Sequence, residues 1–411
     1  MTVWKKTFVS AFVAQIFSIL GFSFAMPFLP FFIADLGIED PGEQAYWSGI
    51  ALAAAGLTFA LFAPLWGILA DRYGRKLMVC RSMFGGFAVL MLMSLARTVG
   101  QLIACRLAQG MVTGTIAASV ALVASVTPQR RSGLTLGMMQ AAVYIGATIG
   151  PFFGGFVADA FGYRASFRAG AILCLLGGLL IHFLAEERFD PIEARAKNEV
   201  SPGFRELFGI RGFFLAVGIM LGVQLANTLI NPSFPLVIKE IVPQTDNINS
   251  LAGSVMAAAA LAGAVSAALL GHIGDRLGKR PTLIACCLAA STAAVGHFFA
   301  RSMPALFVAR VAFGLAIAGM LPTANAMIHA AIDTRYIGKA YGAASSISML
   351  GIALGPYLGG MLAHAAGLRA PFLATAAMQA LMACAVFLAF RPAPCAARQT
   401  QDGAGDSSPN P

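Results

Sequence analysis

Charge is scarce in this chain. Only 11% of its 411 residues are Asp, Glu, Lys or Arg, against 58% that are hydrophobic; a soluble domain carries roughly 25% charged residues. Such a composition cannot clothe a water-facing surface, so a soluble globular domain is excluded and a bilayer-embedded chain is indicated. Acids number only 18, and none stands unambiguously inside an apolar run. A nucleotide-binding loop, a His/Cys/Asp cluster at metal-ligand spacing and a nucleophile constellation are all missing, which argues against an enzyme. The seven cysteines (Cys80, Cys105, Cys174, Cys286, Cys287, Cys384 and Cys395) fall mostly inside apolar runs. With no paired spacing between those runs, neither disulfides nor a metal centre are expected.

What the chain has in quantity is apolar length. A bilayer-crossing helix needs about 20 apolar residues. Charged and polar breaks cut the sequence into twelve such runs, at about 8–33, 47–70, 77–96, 100–123, 134–157, 166–185, 212–236, 251–271, 281–300, 304–328, 340–362 and 371–390; they are numbered here as spans 1 to 12. The expected fold is therefore an all-α membrane protein. Of the 28 Lys and Arg, twenty fall on the side of the termini, six on the other, and Arg106 and Arg310 within spans. Under the positive-inside rule this places both termini in the cytoplasm, as an even number of spans requires. The net charge of +10 is thereby explained by topology, and no nucleic-acid partner is implied. Lys5 and Lys6 precede a run too long for a signal-peptide core and without a small-residue cleavage site, so it is expected to stay as span 1.

The chain also repeats itself. Gly137, Gly146, Gly150-Pro151 and Gly154-Gly155 in span 5 reappear about 205 positions later in span 11 as Gly342, Gly351, Gly355-Pro356 and Gly359-Gly360. Small residues let helix backbones approach closely in lipid, and an internal proline bends its helix, so each copy reads as a close-packed, kinked contact. Asp71, Gly74, Arg75 and Lys76 between spans 2 and 3 are echoed by Asp275, Gly278, Lys279 and Arg280 between spans 8 and 9. Gly74 and Gly278 stand where a tight turn needs positive φ, and the two aspartates are placed to cap a helix N-terminus. The duplication divides the chain into an N-terminal six-helix bundle (1–185), a cytoplasmic linker (186–211), a C-terminal six-helix bundle (212–390) and a disordered cytoplasmic tail (391–411).

These residues resemble the major facilitator superfamily, and within it the twelve-spanner drug/proton antiporters. The resemblance covers nearly the whole chain. Asp71 with Gly74, Arg75 and Lys76 looks like the loop signature between spans 2 and 3. Gly137 to Gly155 looks like the span 5 signature associated with antiporters, and Arg106, Gln109 and Gly110 look like the span 4 signature implicated in proton transfer. Met26-Pro27-Phe28-Leu29-Pro30 fits the span 1 pattern. The chain departs from many of these antiporters in lacking a carboxylate within a span. Asp35, at the outer end of span 1, is the acid nearest a cavity.

The resemblance implies two pseudo-symmetric bundles that rock about a central site, a drug as small-molecule substrate, and a proton gradient in place of any cofactor. Asp35 and Arg106 are then the candidates for proton coupling, and Asp71, Gly74, Arg75, Lys76, Asp275, Lys279 and Arg280 for a conformational latch. Gly137, Gly146, Gly150, Pro151, Gly154, Gly155, Gly351, Gly355 and Pro356 are expected to hinge and pack the helices. Gln224, Asn227 and Asn231 share one helical face. With Gln15, Phe22, Met26, Met138, Tyr144 and Asn325 they are expected to line a roomy, mostly apolar pocket. Without a strongly charged centre, that pocket is not expected to select an anion. Arg310 lacks the Gln partner of Arg106 and reads as structural. The expected protein is a monomer in the bacterial inner membrane, partnered by lipid, protons and an amphipathic substrate that it exports; a proton-coupled permease for a sugar, organic acid or siderophore is the alternative.

Overall fold

The computed structural model describes residues 3–187, 211–324 and 337–389. The linker, the C-terminal tail and the neighbourhood of Asn325 lie almost entirely outside these residues. Among the described residues twelve helices are long and apolar enough to cross a membrane: Val3–Asp35, Pro41–Tyr73, Arg75–Leu95, Val99–Val126, Gln129–Phe161, Tyr163–Leu184, Val217–Ile241, Ile248–Gly274, Lys279–Phe299, Met303–Ala324, Ser346–Ala366 and Ala370–Leu388. They correspond in order to spans 1 to 12, in two pseudo-symmetric bundles of six.

Local chemistry sets where the spans begin and end. Spans 2 and 3 are parted by Gly74 alone; the helix of span 8 continues to Leu277, so Gly278 alone parts it from span 9, and the two glycines stand at φ 94° and 97°, a left-handed conformation natural only to glycine. The expected turn is thus a single residue. On the far side, the side opposite the termini, Gly162 at φ 81° alone parts spans 5 and 6, and Gly367 at φ 94° opens the three-residue turn between spans 11 and 12. Asp40 caps span 2 by accepting the amide of Glu43 at 2.8 Å, and Thr98 caps span 4 through Gln101 at 3.3 Å. Pro27 and Pro30 split span 1 into Val3–Ala25, a 3-10 turn at Met26–Phe28 and Leu29–Asp35, since a proline cannot donate to the carbonyl a turn behind it.

Glycine decides how the spans pack. Side chains at Gly146, Gly150 and Gly154 would collide with Ile19, Ser23 and Phe24 of span 1; at Gly351, Gly355 and Gly359 they would collide with Leu221, Thr228 and Leu229 of span 7. Each duplicated stretch therefore lays one helix directly on the backbone of another inside its own half. Apolar clusters fill the rest: Phe32, Phe167, Leu90 and Met93 in the N-terminal half, and Phe234, Phe313 and Phe372 in the C-terminal half. Phe28, Phe31 and Ala45 of the N-terminal half join the latter cluster, so the two bundles share a core near the far side.

Candidate functional site

On the far side the halves are sealed twice, about a pseudo-dyad. A side chain at Gly155 would strike the Asn249 carbonyl, and one at Gly253 the Pro151 carbonyl, closing span 5 on span 8. At the counterpart seam Gly360 meets Ala45, and Gly49 the Pro356 carbonyl, closing span 11 on span 2. The first seam carries a further lock. The Asp159 carboxylate, at the end of span 5, accepts the amides of Asn249 (3.1 Å) and Ser250 (2.7 Å) and the Asn249 Nδ2 at 2.7 Å. Asn249 Nδ2 also donates to the Tyr163 hydroxyl at 3.2 Å. An acid of one half thus caps the first turn of a helix of the other, where the dipole favours negative charge. The position 205 residues on is His364, whose ring lies 5.8 Å from that of Tyr46 at the start of span 2. That helix is capped by its own Asp40.

The side of the termini differs. Gly137 and Gly67, in line with the glycines that seal the far side, have no described residue within 4 Å of a notional side chain, and Asp71 is exposed. The halves are closed on the far side and parted on this one, so the space between them opens toward the termini.

That space holds a cavity of about 360 Å³ between span 5 and spans 7, 8 and 10. Tyr144 and Thr148 line it from the N-terminal half. Gln224 and Asn227 of span 7, a stripe of small residues from Ala259 to Ala267 in span 8, and Arg310, Phe313 and Gly314 of span 10 line it from the other. The described wall is apolar except for these few groups, and no carboxylate is among them. Asn227 accepts a hydrogen bond from Gln379 at 2.9 Å, which fixes its amide.

Arg310 is the one formal charge among these lining residues. Its guanidinium lies 4.3 Å from the ring centre of Phe234 and 5.9 Å from that of Phe313. Its Nε and NH1 have no hydrogen-bond partner among the described residues. Cation–π contact contributes about 2 kcal/mol when desolvated, less than the several kcal/mol needed to hold an unpaired ion out of water. The charge therefore favours an anion arriving in the cavity. His297 braces the site from behind, stacked on Phe372 at 5.3 Å and edge-on to Phe234 and Phe313. Arg106, 204 positions earlier in the other half, is satisfied without an acid. It donates Nε to the Ala51 carbonyl (2.9 Å), and NH1 to the Met26 sulfur (2.9 Å) and to Gln109.

The profile of the Major Facilitator Superfamily matches residues 11–241 and 219–410, together most of the chain. The chain belongs to the major facilitator superfamily. Among curated relatives it is similar to "Multidrug resistance protein MdtG" of Dickeya zeae (strain Ech586), 31% identical over 391 residues, covering 94% of this chain and 95% of the relative. The protein of the same name from Citrobacter koseri is 30% identical over 377 residues, covering 91% and 92%. Among solved structures, an inward-facing, occupied bacterial homolog of the human lysosomal transporter Spinster superposes with a TM-score of 0.77 at 15% identity, over 96% of this chain and all of that one. A D-xylose–proton symporter does so at 0.75 and 15%, over 94% and 98%. These two likenesses speak for the fold alone.

The superfamily fold brings together only some of the residues singled out from sequence. Tyr144, Gln224 and Asn227 line the cavity. Gln15 is buried within the N-terminal half with both amide atoms unpartnered; Phe22 points at Gly86 of span 3, and Met26 is held by Arg106. Asn231 lies in the break of span 7, its amide bonded to the Thr228 carbonyl, and Met138 is exposed nearer the termini; Asn325 lies outside the described residues. Asp35 is exposed on the far side, away from the cavity. Of the latch residues, Asp71 is exposed and makes no ion pair or hydrogen bond across the halves among the described residues. The amides of Arg75 and Lys76 are taken by Glu187 at 3.0 and 2.8 Å, and Arg280 donates to the Phe387 carbonyl of its own half at 2.5 Å. The Asp275 side chain lies outside the described set.

Sequence reasoning missed Asp159, Glu187 and the cavity position of Arg310. A signal existed for Asp159. An acid in the last turn of a helix opposes its own dipole, which points to a partner elsewhere. Arg310 had a signal too, as a charge deep in a span with no acid to pair with.

Proposed function

We propose that this secondary transporter exports lipophilic or amphipathic compounds from the cytoplasm across the bacterial inner membrane in exchange for protons, and that it prefers compounds bearing an acidic group. The observation that carries the preference is Arg310, whose Nε and NH1 have no hydrogen-bond partner among the described residues, in a mostly apolar cavity whose described lining holds no carboxylate. This reverses the expectation from sequence that no anion would be selected. Export of drug-like compounds is supported by the relatives named for multidrug resistance and by the antiporter-type glycines, and the cytoplasmic orientation by the distribution of Lys and Arg.

In this reading the cavity loads from the cytoplasm while Asp159 and the two glycine seams keep the outside closed. Rocking then opens those seams and brings the turns bearing Asp71 and Asp275 against the opposite half. Asp35, open to far-side solvent, is the proposed proton-loading group. Arg106 joins spans 1, 2 and 4 through Met26, Ala51 and Gln109, and its part is to transmit the effect. One proton entering across 100 mV supplies about 2.3 kcal/mol, enough for roughly a fiftyfold gradient of a neutral substrate.

The test is transport in vesicles with an imposed pH gradient, comparing an aromatic carboxylate with its neutral amide. The expected result is uphill movement of the carboxylate against the proton flow, abolished by an uncoupler, with Asp35→Asn flattening the pH response. Movement of only a sugar or small organic acid in the same direction as the proton would sink the export reading.

A further inference from the structure

A second cavity, of about 300 Å³, lies within the N-terminal half near the side of the termini, among spans 2, 3 and 4. Its span 2 wall is Phe59, Ala63, Trp66 and Ala70, at i, i+4, i+7 and i+11 and hence on one face. Ala63 falls two turns below Gly56, which presses on Ala353 of span 11, while Thr58 donates to the Leu107 carbonyl of span 4 at 3.0 Å. The wall therefore occupies the arc between the faces turned to spans 11 and 4. The exposed Leu57, Leu61, Leu65 and Ile68 occupy the opposite, lipid-facing arc. Gly67, also lining the cavity, has open space before it, so the cavity gives onto the vestibule between the halves.

Arg81 of span 3 reaches into this cavity. Its guanidinium carbon lies over Trp66, 3.4 Å from the ring centre, and Trp66 is fixed by its indole N–H, which donates to the Met111 carbonyl at 2.7 Å. Arg81 Nε and NH1 are buried with no hydrogen-bond partner among the described residues. Span 4 breaks beside it. Gly114, at φ 128°, precedes the helix Thr115–Val126 and offers no side chain to its first amides, and the buried Thr115 hydroxyl is unpartnered. Arg75 and Asp71 are the other charged residues on the wall, which leaves one net positive charge. The fold does not demand this chemistry. At the positions 204 residues on, the C-terminal half has Leu270 in place of Trp66 and Ala285 in place of Arg81.

We propose that the Arg81–Trp66 cavity is an access site, which takes an amphipathic anion from the cytoplasmic vestibule before it moves to Arg310. The acidic group binds the free N–H edge of Arg81 and the open turn at Thr115, and the apolar body lies along Phe59 and Ala117. A stacked guanidinium is well suited to this, because the ring covers its face and leaves its donors for a carboxylate, sulfonate or phosphate. The inference rests on the acidic-substrate reading above, and its test separates the two sites.

Trp4 and Trp47 are replaced by Phe, so that Trp66 is the sole tryptophan, and the full chain is placed in phosphatidylcholine nanodiscs. Energy transfer from Trp66 to added dansylglycine, an anion, is compared with transfer to its neutral amide. Saturable transfer to dansylglycine is expected. It should weaken about tenfold or more with the amide or with Arg81→Gln, recover in part with Arg81→Lys, vanish in Ala117→Phe, and stay unchanged in Arg310→Gln. Ala117→Phe fills the cavity without touching the charge, so the proposal stays testable should Arg81→Gln fail to fold. Equal binding of acid and amide, or loss of transfer in Arg310→Gln rather than in the Arg81 variants, would overturn it. Displacement of the probe by phosphatidylglycerol would assign the site to a lipid headgroup and overturn it equally.

Discussion

A single buried charge without a partner says more about a ligand than a whole apolar wall does. Arg310 and Arg106 occupy corresponding places in the repeat, yet Arg106 is quenched by a carbonyl, a sulfur and an amide, whereas Arg310 lies against aromatic faces with its Nε and NH1 unpartnered among the described residues. Their roles are therefore separable by substitution. Arg310→Gln removes a charge-assisted hydrogen bond worth about 1.5–3 kcal/mol, so affinity for an aromatic carboxylate should fall roughly ten- to a hundredfold while that for its amide holds; equilibrium binding in detergent measures both. Arg106→Ala leaves Gln109 and the Ala51 carbonyl without their donor and should lower thermal stability instead, with little discrimination between acid and amide. An Arg310→Gln variant that loses both ligands equally would make Arg310 a packing residue.

At the scale of the helix, much of the fold was legible in advance. The twelve spans announce themselves because a bilayer leaves no other way to satisfy their backbones, and Gly74 and Gly278 announce turns because no other residue rests easily at positive φ. Which face of a span turns inward was not legible, and Gln15, Phe22 and Met26 show why. Polar and large residues on one stripe serve packing within a half as well as they line a cavity, and only the neighbouring helices, far off in sequence, decide. The duplicated glycines contain two functions that spacing alone could not separate: Gly146, Gly150 and Gly154 hold span 5 to span 1 within a half, and Gly155 meets span 8 across the seam. Gly155→Val should then destabilise the far-side-closed state by about 1–3 kcal/mol, the range for overpacking, without unfolding the half. Gly137→Ala meets nothing within 4 Å and should raise stability by about 0.5–1 kcal/mol through helix propensity alone. Thermal unfolding, read beside the accessibility of a far-side cysteine, distinguishes the two; equal behaviour of both variants would show that the motif has one role, not two.

Across the whole molecule the repeat is copied in backbone but not in charge. Both far-side seams use glycine against a carbonyl near a proline, yet only the seam of spans 5 and 8 carries an acid that reaches across the halves. At the seam of spans 2 and 11 the corresponding helix start is capped in cis by Asp40, and His364 stands where Asp159 would be. Which helix Asp159 caps was not legible, because that helix begins about ninety residues further on. The two caps are chemically alike, so a comparison of them isolates the effect of bridging the halves. A carboxylate at a helix N-terminus contributes about 0.3–1 kcal/mol when exposed and up to about 2 kcal/mol in partly buried geometry. Losing Asp40 withdraws that from span 2 in either orientation of the halves, so Asp40→Asn should lower stability and leave the balance between orientations where it was. Losing Asp159 withdraws it only from the far-side-closed state, so Asp159→Asn should shift the balance toward opening by a factor of roughly five to thirty. Spin labels at positions 39 and 244, exposed on opposite halves of the far side, report that balance as a distance distribution in a cysteine-free background. A long-distance population that grows in the Asp159 variant alone supports a clasp across the bundles, while equal growth in both variants would reduce Asp159 to an ordinary helix cap.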